Sequence, residues 1–313
     1  MGMLVDGEWR LAGYETERHG GAFVRWSSTF RGKITADGSS GFPAEAGRYH
    51  LYVSWACPWA HRTILYRELK GLSGALGMTA VDTFLGDDGW FFDEPDPVLG
   101  ARFLRDVYRR ADPRFTGRVT TPVLWDRERG TIVSNESSDI IRMFDRELDA
   151  LAMRPGPRYA PDELLPRIDA LNAVVYDEVN NGVYKAGFAT TQASYDAAVS
   201  ALFARLDALE AQLLTTRYLL GDRVTEADWR LFTTLVRFDA VYHGHFKCNL
   251  RRLQDYPNLW GYARDLYGQP GVAATVKMDE IKAHYYRSHP FINPTRVVPA
   301  GPIVDWLAPH GRG

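Results

Sequence analysis

The sequence predicts a small α/β domain over residues 49–150 and an all-helical domain over 151–313, preceded by an extension of residues 1–48. Three observations carry this reading. Between Tyr49 and Leu148, short β-rich runs alternate with helical ones in the order β-α-β-α-β-β-α. Residues 151–161 then hold three prolines and two basic residues, the composition of a linker. Beyond them the strand signal stops, and Tyr195, Val199, Leu202, Leu206, Leu209 and Leu213 recur at steps of three or four, the period of an amphipathic helix.

Taken in order, residues 1–48 are rich in Gly, Ser and charge with weak periodicity, and are expected to have little regular structure while wrapping the body. Tyr49–Val53 alternates and is β-rich, so it reads as a strand. Pro58–Lys70 reads as a helix, with proline at its first position and Gly71 as its stop. Thr79–Leu85 is the second strand candidate, and the irregular stretch after it holds a helix near Pro97–Arg109. Pro122–Trp125 and Thr131–Val133 are short strands joined by a turn at Asp126–Gly130, and Glu136–Leu148 is a helix. Further helices are expected over 163–177, 225–241, 257–267 and 271–283. The third-from-last opens on Thr225-Glu226-Ala227-Asp228, a capping box with Asp in place of Glu or Gln. The tail from Ser288 is Pro-rich and reads as extended.

Composition excludes several classes of function. The 313 residues are 45% hydrophobic and 24% charged, as in an ordinary soluble globular protein. A net charge of −2 speaks against nucleic acid or an anionic membrane as partner. No apolar run is long enough to span a bilayer, and Met1–Asp6 has no basic head followed by an apolar stretch, so a cytoplasmic protein is expected. The two cysteines, Cys57 and Cys248, form no disulfide scaffold and no C-x-x-C pair, which fits a reducing compartment. His243, His245 and Cys248 are three candidate ligands within six residues with no fourth, so no metal is expected. No P-loop or dinucleotide glycine fingerprint is present, so no nucleotide cofactor is expected either. Aromatics reach 13%, and most of them read as core.

The chemistry points to Cys57, in Ser54-Trp55-Ala56-Cys57-Pro58-Trp59-Ala60-His61. Between a strand and a helix its sulfur sits at a helix N-terminus, where free N–H groups and the helix dipole favour the thiolate, the reactive form of cysteine. A buried, inert cysteine is the plainer alternative. The strand–Cys-Pro–helix context favours the nucleophile. Three residues on stands Ala60 rather than a second cysteine. A mixed disulfide at Cys57 therefore has no neighbouring thiol, and resolution must come from outside the motif, most simply from a small thiol such as glutathione. Pro122, opening a strand after Thr121, is either a simple strand start or a cis bond that exposes backbone to an extended ligand. At Glu136-Ser137, free N–H groups of a helix start can take a carboxylate and Glu136 an ammonium, although ordinary first-turn composition also accounts for both.

Together these pieces resemble the glutathione transferase superfamily. The marks are the Cys57-Pro58-Trp59-Ala60 turn, the Pro122-Val123 strand start, Glu136-Ser137, and the capping box after Leu220-Gly221-Asp222. More narrowly, Ser54–Arg62, Arg118–Trp125, Ser134–Phe144, Gly182–Thr190, Arg237–Lys247 and His284–Pro294 resemble the glutathionyl-hydroquinone reductases, the Xi class, over essentially the whole chain. The resemblance implies a thioredoxin-like N-terminal domain followed by a helical glutathione-transferase C-terminal domain. It also implies that glutathione acts as co-substrate, that aromatic glutathionyl conjugates are the substrates, and that the protein is a homodimer. By the same resemblance Cys57 attacks the substrate sulfur, and Tyr184 donates a proton to the departing aromatic carbon. Tyr242 and Tyr285 line the quinone pocket and lower the cysteine pKa. Trp90 lies along glutathione, the backbone of Arg118, Val119, Thr120, Thr121 and Val123 pairs with its cysteinyl part, and Glu136 and Ser137 hold the γ-glutamyl end. Thr121 departs from the family, where valine is the commoner residue, at a position that acts through its backbone.

Two rival functions are compatible with the same features. A thiol transferase or dehydroascorbate reductase would use the same Cys57 chemistry on a different acceptor. A transferase-fold binding module would keep the fold without the reaction, against which the intact Cys57 and the three tyrosines stand. A conjugating transferase would need a Ser or Tyr where Cys57 stands.

Overall fold

The central run Tyr49–Val53 forms strand β3 of a four-stranded sheet, and all five of its residues are buried. In the computed structural model, which describes residues 2–153 and 156–312, the sheet has the order β4-β3-β5-β6. Its other strands are β4 (Gly77–Ala80), β5 (Val123–Asp126) and β6 (Thr131–Ser134). Strand β3 runs parallel to β4 and antiparallel to β5, and β5 pairs antiparallel with β6 across an irregularity at Leu124/Trp125. Burial of every β3 residue, rather than of alternate ones, marks a strand covered on both faces.

Helix α1 (Pro58–Leu69) has proline in its first turn, and the chain leaves it through Gly71 at φ +61, a left-handed conformation that glycine adopts without steric cost. Helix α2 (Leu104–Ala111) begins later than the run 97–109 expected from sequence. The reason is Asp96, which is buried and accepts N–H bonds from Val98, Leu99 and Ala101 at 2.9, 3.1 and 2.7 Å. Those bonds fold 97–101 into a turn before a helix can start. Helix α3 (Ser137–Arg146) follows β6, completing the expected β-α-β-α-β-β-α order.

The first residues depart from the expectation of little regular structure. Strands β1 (Gly2–Val5) and β2 (Glu8–Leu11) form an antiparallel hairpin. Its turn residues Asp6 and Gly7 take φ +50 and +78, the two-residue geometry that an Asp-Gly pair favours.

The remaining helices are α4 (Leu165–Val175), α5 (Gly182–Gly187), α6 (Gln192–Leu213), α7 (Glu226–Leu235), α8 (Pro257–Tyr267) and α9 (Met278–Ser288). Wide π-type turns extend two of them, at Tyr176–Asn180 and Phe238–Tyr242. At the start of α7, Thr225 and Asp228 cap reciprocally, and buried Asp228 also accepts the Tyr262 hydroxyl at 2.9 Å. The last helix lies at 278–288 instead of 271–283, because Gly271 takes φ +86 and residues 273–275 form only a tight turn.

The chain divides into two compact units. The first comprises the described residues up to Gly13, Trp26–Pro157 and Thr275–His284, and the second comprises Tyr14–Arg25, Arg158–Ala274 and the chain from Tyr285 on. The 1–48 segment is thus shared between both units, and of the linker expected at 151–161, Arg154 and Pro155 lie outside the described residues. No helix among the described residues is long and apolar enough to cross a membrane.

Candidate active site

Cys57 is the N-cap of α1, with φ −71 and ψ 120, and its Sγ accepts the Ala60 N–H at 3.5 Å. Pro58 permits this geometry: it has no N–H to leave unbonded and its φ suits the first helical turn. The sulfur is also 3.5 Å from the Thr121 carbonyl, to which the thiol can donate. Ala60 is fully buried at the place where a resolving cysteine would stand. The arrangement aims a helix N-terminal donor at a half-buried sulfur with no second thiol beside it.

The Thr121–Pro122 bond is cis, the isomer that the sequence left open. The segment before it is held from behind by Tyr108, whose hydroxyl donates to the Thr120 carbonyl at 2.9 Å and accepts the Asn135 amide at 3.1 Å. Val119 and Thr121 are buried, and Val123 enters the sheet opposite Tyr52. The Arg118 side chain is engaged elsewhere: its guanidinium donates to the carbonyls of Gly2, Ala12 and Gly13 and so fastens the N-terminal hairpin.

Glu136 is the N-cap of α3. One carboxylate oxygen accepts the Ser138 N–H and hydroxyl at 3.0 and 2.9 Å, and the other accepts the Ser28 hydroxyl at 2.9 Å. Burial opposes its ionisation, but those three bonds and the Arg62 guanidinium outweigh burial and hold the carboxyl below its ordinary range. The Ser137 hydroxyl accepts from Arg62 at 3.4 Å, and the buried Arg62 guanidinium lies 4.6 Å from the Trp59 ring. A carboxylate, a helix N-terminus and an arginine thus stand together, a set able to hold a zwitterionic amino-acid group.

Trp90 is nine-tenths buried and stacks on His284 at 5.0 Å and 20°. His284 Nδ1 lies 2.8 Å from the Thr83 carbonyl, which can only accept, so that nitrogen carries the proton.

In the second unit, Tyr184 of α5, Tyr242 of the π-type turn and Tyr285 of α9 meet at their hydroxyls. Tyr285 Oη is 2.6 Å from Tyr184 Oη and 3.1 Å from Tyr242 Oη. Burial, then the two neighbouring phenols, push the Tyr285 hydroxyl well above its ordinary range, with Arg237 opposing. At neutral pH Tyr285 therefore keeps its proton.

Cys248 is a different kind of cysteine. It is fully buried and free, and burial pushes its thiol up. His245 is hydrogen-bonded to His289 at 3.1 Å, and no group of three or more His, Cys, Asp or Glu among the described residues is placed to hold a metal.

Of the residues selected from sequence in the first unit, Cys57 meets the Thr121 carbonyl and Ser137 meets Arg62 of α1, whereas the Arg118 side chain turns to the N-terminal hairpin and Trp90 belongs to the Thr83–His284 contact. Sequence reading missed Ser28, Arg62, Tyr108 and His284. Arg62 carried the one available signal, a charged residue within an otherwise buried helix face five positions after Cys57.

Residues 56–147 match the family model of the glutathione S-transferase N-terminal domain, and residues 192–265 match that of the C-terminal domain. Over its full length the chain is 51% identical to glutathionyl-hydroquinone reductase YqjG of Escherichia coli, covering 98% of that protein. It is 52% identical to glutathionyl-hydroquinone reductase PcpF of Sphingobium chlorophenolicum, over 96% of each chain. Among solved structures, the Xi class glutathione transferase of Natrialba magadii superposes with a TM-score of 0.93 at 49% identity, covering 100% of this chain and 96% of that one. The glutathione-bound structure of Escherichia coli YqjG gives 0.90 at 49% identity, with 99% of each chain covered.

Proposed function

Because this chain belongs to the glutathionyl-hydroquinone reductases, the Xi class of the glutathione transferase superfamily, we propose that it reduces glutathionyl-hydroquinones through a covalent Cys57 intermediate. The observation that carries the reading is the N-cap sulfur of Cys57 beside a buried Ala60, a nucleophile with no resolving partner.

In the first step the Cys57 thiolate attacks the thioether sulfur of the conjugate. The S–S bond forms as the aryl C–S bond breaks, its electron pair goes to the ring carbon, and the Tyr184 hydroxyl supplies the proton. Hydroquinone leaves, and Cys57 holds glutathione as a mixed disulfide. In the second step the thiolate of another glutathione attacks that disulfide, releases oxidised glutathione and regenerates Cys57, and the thiol's proton restores the Tyr184 phenol. Two sulfurs are oxidised and one aromatic carbon is reduced. Glutathione is held by Trp90, by the backbone of Arg118–Thr121 and Val123, and by Glu136 and Ser137. Tyr242 and Tyr285 border the aromatic ring and support the thiolate. The proposal extends to a homodimer, as the family implies, in the cytoplasm, as the two cysteines outside any C-x-x-C pair and the N-terminal composition suggest.

The test is intact mass after mixing enzyme with a glutathionyl-hydroquinone when free glutathione is limiting. The expected result is one added glutathionyl group, mapped to Cys57 and not Cys248, and lost when glutathione is added. Turnover without any adduct under these conditions would reject the covalent route.

The γ-glutamyl assignment has its own test. Glu136→Gln keeps an oxygen that can cap α3 but removes the charge facing an ammonium. The KM for glutathione should rise about 10- to 100-fold, the loss of one charge-assisted hydrogen bond, with a smaller change in kcat. Steady-state kinetics at varied glutathione reads it, and an unchanged KM would place the ammonium elsewhere.

A further inference from the structure

We propose that Arg25, carried by the N-terminal segment, is a positioning residue for Tyr184 that orients its ring and, through the ring face, stabilises the phenolate that forms as the proton leaves. The inference rests on the reading of Tyr184 as the proton donor. The guanidinium carbon of Arg25 lies 4.7 Å from the centroid of the Tyr184 ring and 5.2 Å from that of Phe23. Its Nε donates to the Asn181 side-chain oxygen at 2.8 Å. Asn181 is the N-cap of α5, and its backbone carbonyl accepts the Tyr184 N–H at 3.0 Å. One residue thus anchors both the guanidinium and the first turn of the helix that carries the phenol.

A cation over an aromatic ring is attracted to the ring face, and the attraction grows when the ring system becomes anionic. Proton donation does this to Tyr184. At its oxygen end, the Tyr285 hydroxyl at 2.6 Å can donate to the forming phenolate, while Arg25 acts on the ring. The two contacts address opposite ends of one side chain.

The segment Tyr14–Arg25 is packed so as to deliver Arg25 to this place. The Gly21 carbonyl accepts the Thr190 N–H at 2.9 Å, and the Gly20 carbonyl accepts the Thr191 and Ser194 hydroxyls, each at 3.1 Å. Tyr14 stacks on Phe188 at 4.6 Å, and buried Phe23 meets the same ring edge-on at 5.2 Å. This gives a chemical purpose to a stretch that the sequence presents as low in periodicity.

The test uses single-turnover kinetics on the full chain, following hydroquinone release and, separately, resolution of the pre-formed mixed disulfide by glutathione. Arg25→Gln should slow release about 3- to 30-fold, the range spanned by one cation–π contact, and leave resolution unchanged. Arg25→Lys, which keeps the charge, should recover part of the loss. In a Tyr184→Phe background, Arg25→Gln should add no further loss to release. An equal loss in both backgrounds, or a matching loss in both steps, overturns the proposal and leaves Arg25 as a packing residue. If Tyr184→Phe alone leaves release untouched, the premise fails first, and that outcome is recognised without any Arg25 variant.

Discussion

Cys57→Ala is expected to lower kcat/KM for a glutathionyl-hydroquinone about 10³-fold or more and to abolish the glutathionyl adduct. The size follows from the proposed role: removing a covalent nucleophile leaves only binding and electrostatic contributions, and sulfur is far more nucleophilic at neutral pH than any side chain that could substitute. Alanine also removes the acceptor for the Ala60 N–H, so a loss of stability could be mistaken for a loss of chemistry. Cys57→Ser separates the two, because serine caps a helix well. Its melting temperature should stay within a few degrees of the parent while its activity falls as far as that of the alanine variant. Thermal melts beside steady-state rates check this. A serine or alanine variant that retained near-parental turnover would show that the reaction does not pass through Cys57.

Tyr184→Phe should slow hydroquinone release about 10²- to 10³-fold, within the range of a general acid, and leave the resolution step unchanged. The reasoning lies in the bonding. In the proposed route the first step ends with an electron pair on carbon that must be protonated, whereas the second only exchanges sulfur for sulfur. Tyr285 keeps its bond to Tyr242 in the variant, so the cluster loses one hydroxyl and not its arrangement. Stopped-flow detection of hydroquinone gives the first rate and loss of the adduct mass gives the second. Equal slowing of both steps would move Tyr184 from proton donation to general support of the pocket.

Much of the first unit was legible in the sequence because its signals are local. A β-rich run, Cys-Pro and a helical period lie within about twenty residues, and the same stretch shows alanine where a second cysteine would stand. Asp6-Gly7 was equally local, a hairpin pair that the weak periodicity around it hid. The start of α2 was not readable, because the Asp96 carboxylate overrides helix propensity through three backbone bonds that periodicity does not represent. The tyrosine cluster shows the deeper limit. Tyr184 and Tyr285 are 101 positions apart and Tyr242 and Tyr285 are 43 apart, so nothing in the spacing distinguishes them from the other tyrosines. Resemblance to the family selected them, and the structure places their hydroxyls in one chain. Ser28 and Arg25 escaped for a related reason: each lies in the low-periodicity segment, and each meets its partner more than 100 residues away.

Neither compact unit is an uninterrupted stretch of chain, and this governs how the protein can be made. A fragment ending near Pro157 would contain Cys57, Thr121 and Glu136. It would lack Thr275, whose hydroxyl lies 2.9 Å from buried His61, and His284, the ring stacked on Trp90. During synthesis these residues leave the ribosome only after Arg158–Ala274, so the unit that carries the cysteine waits for α9, the last of the described helices, before it is complete. The second unit has the opposite dependence, since its Tyr14–Arg25 segment is made first and must be kept available until the helices it packs on appear. A gene cut at the apparent domain boundary would therefore yield two incomplete halves, which ties the inheritance of Cys57 to that of the tyrosine cluster.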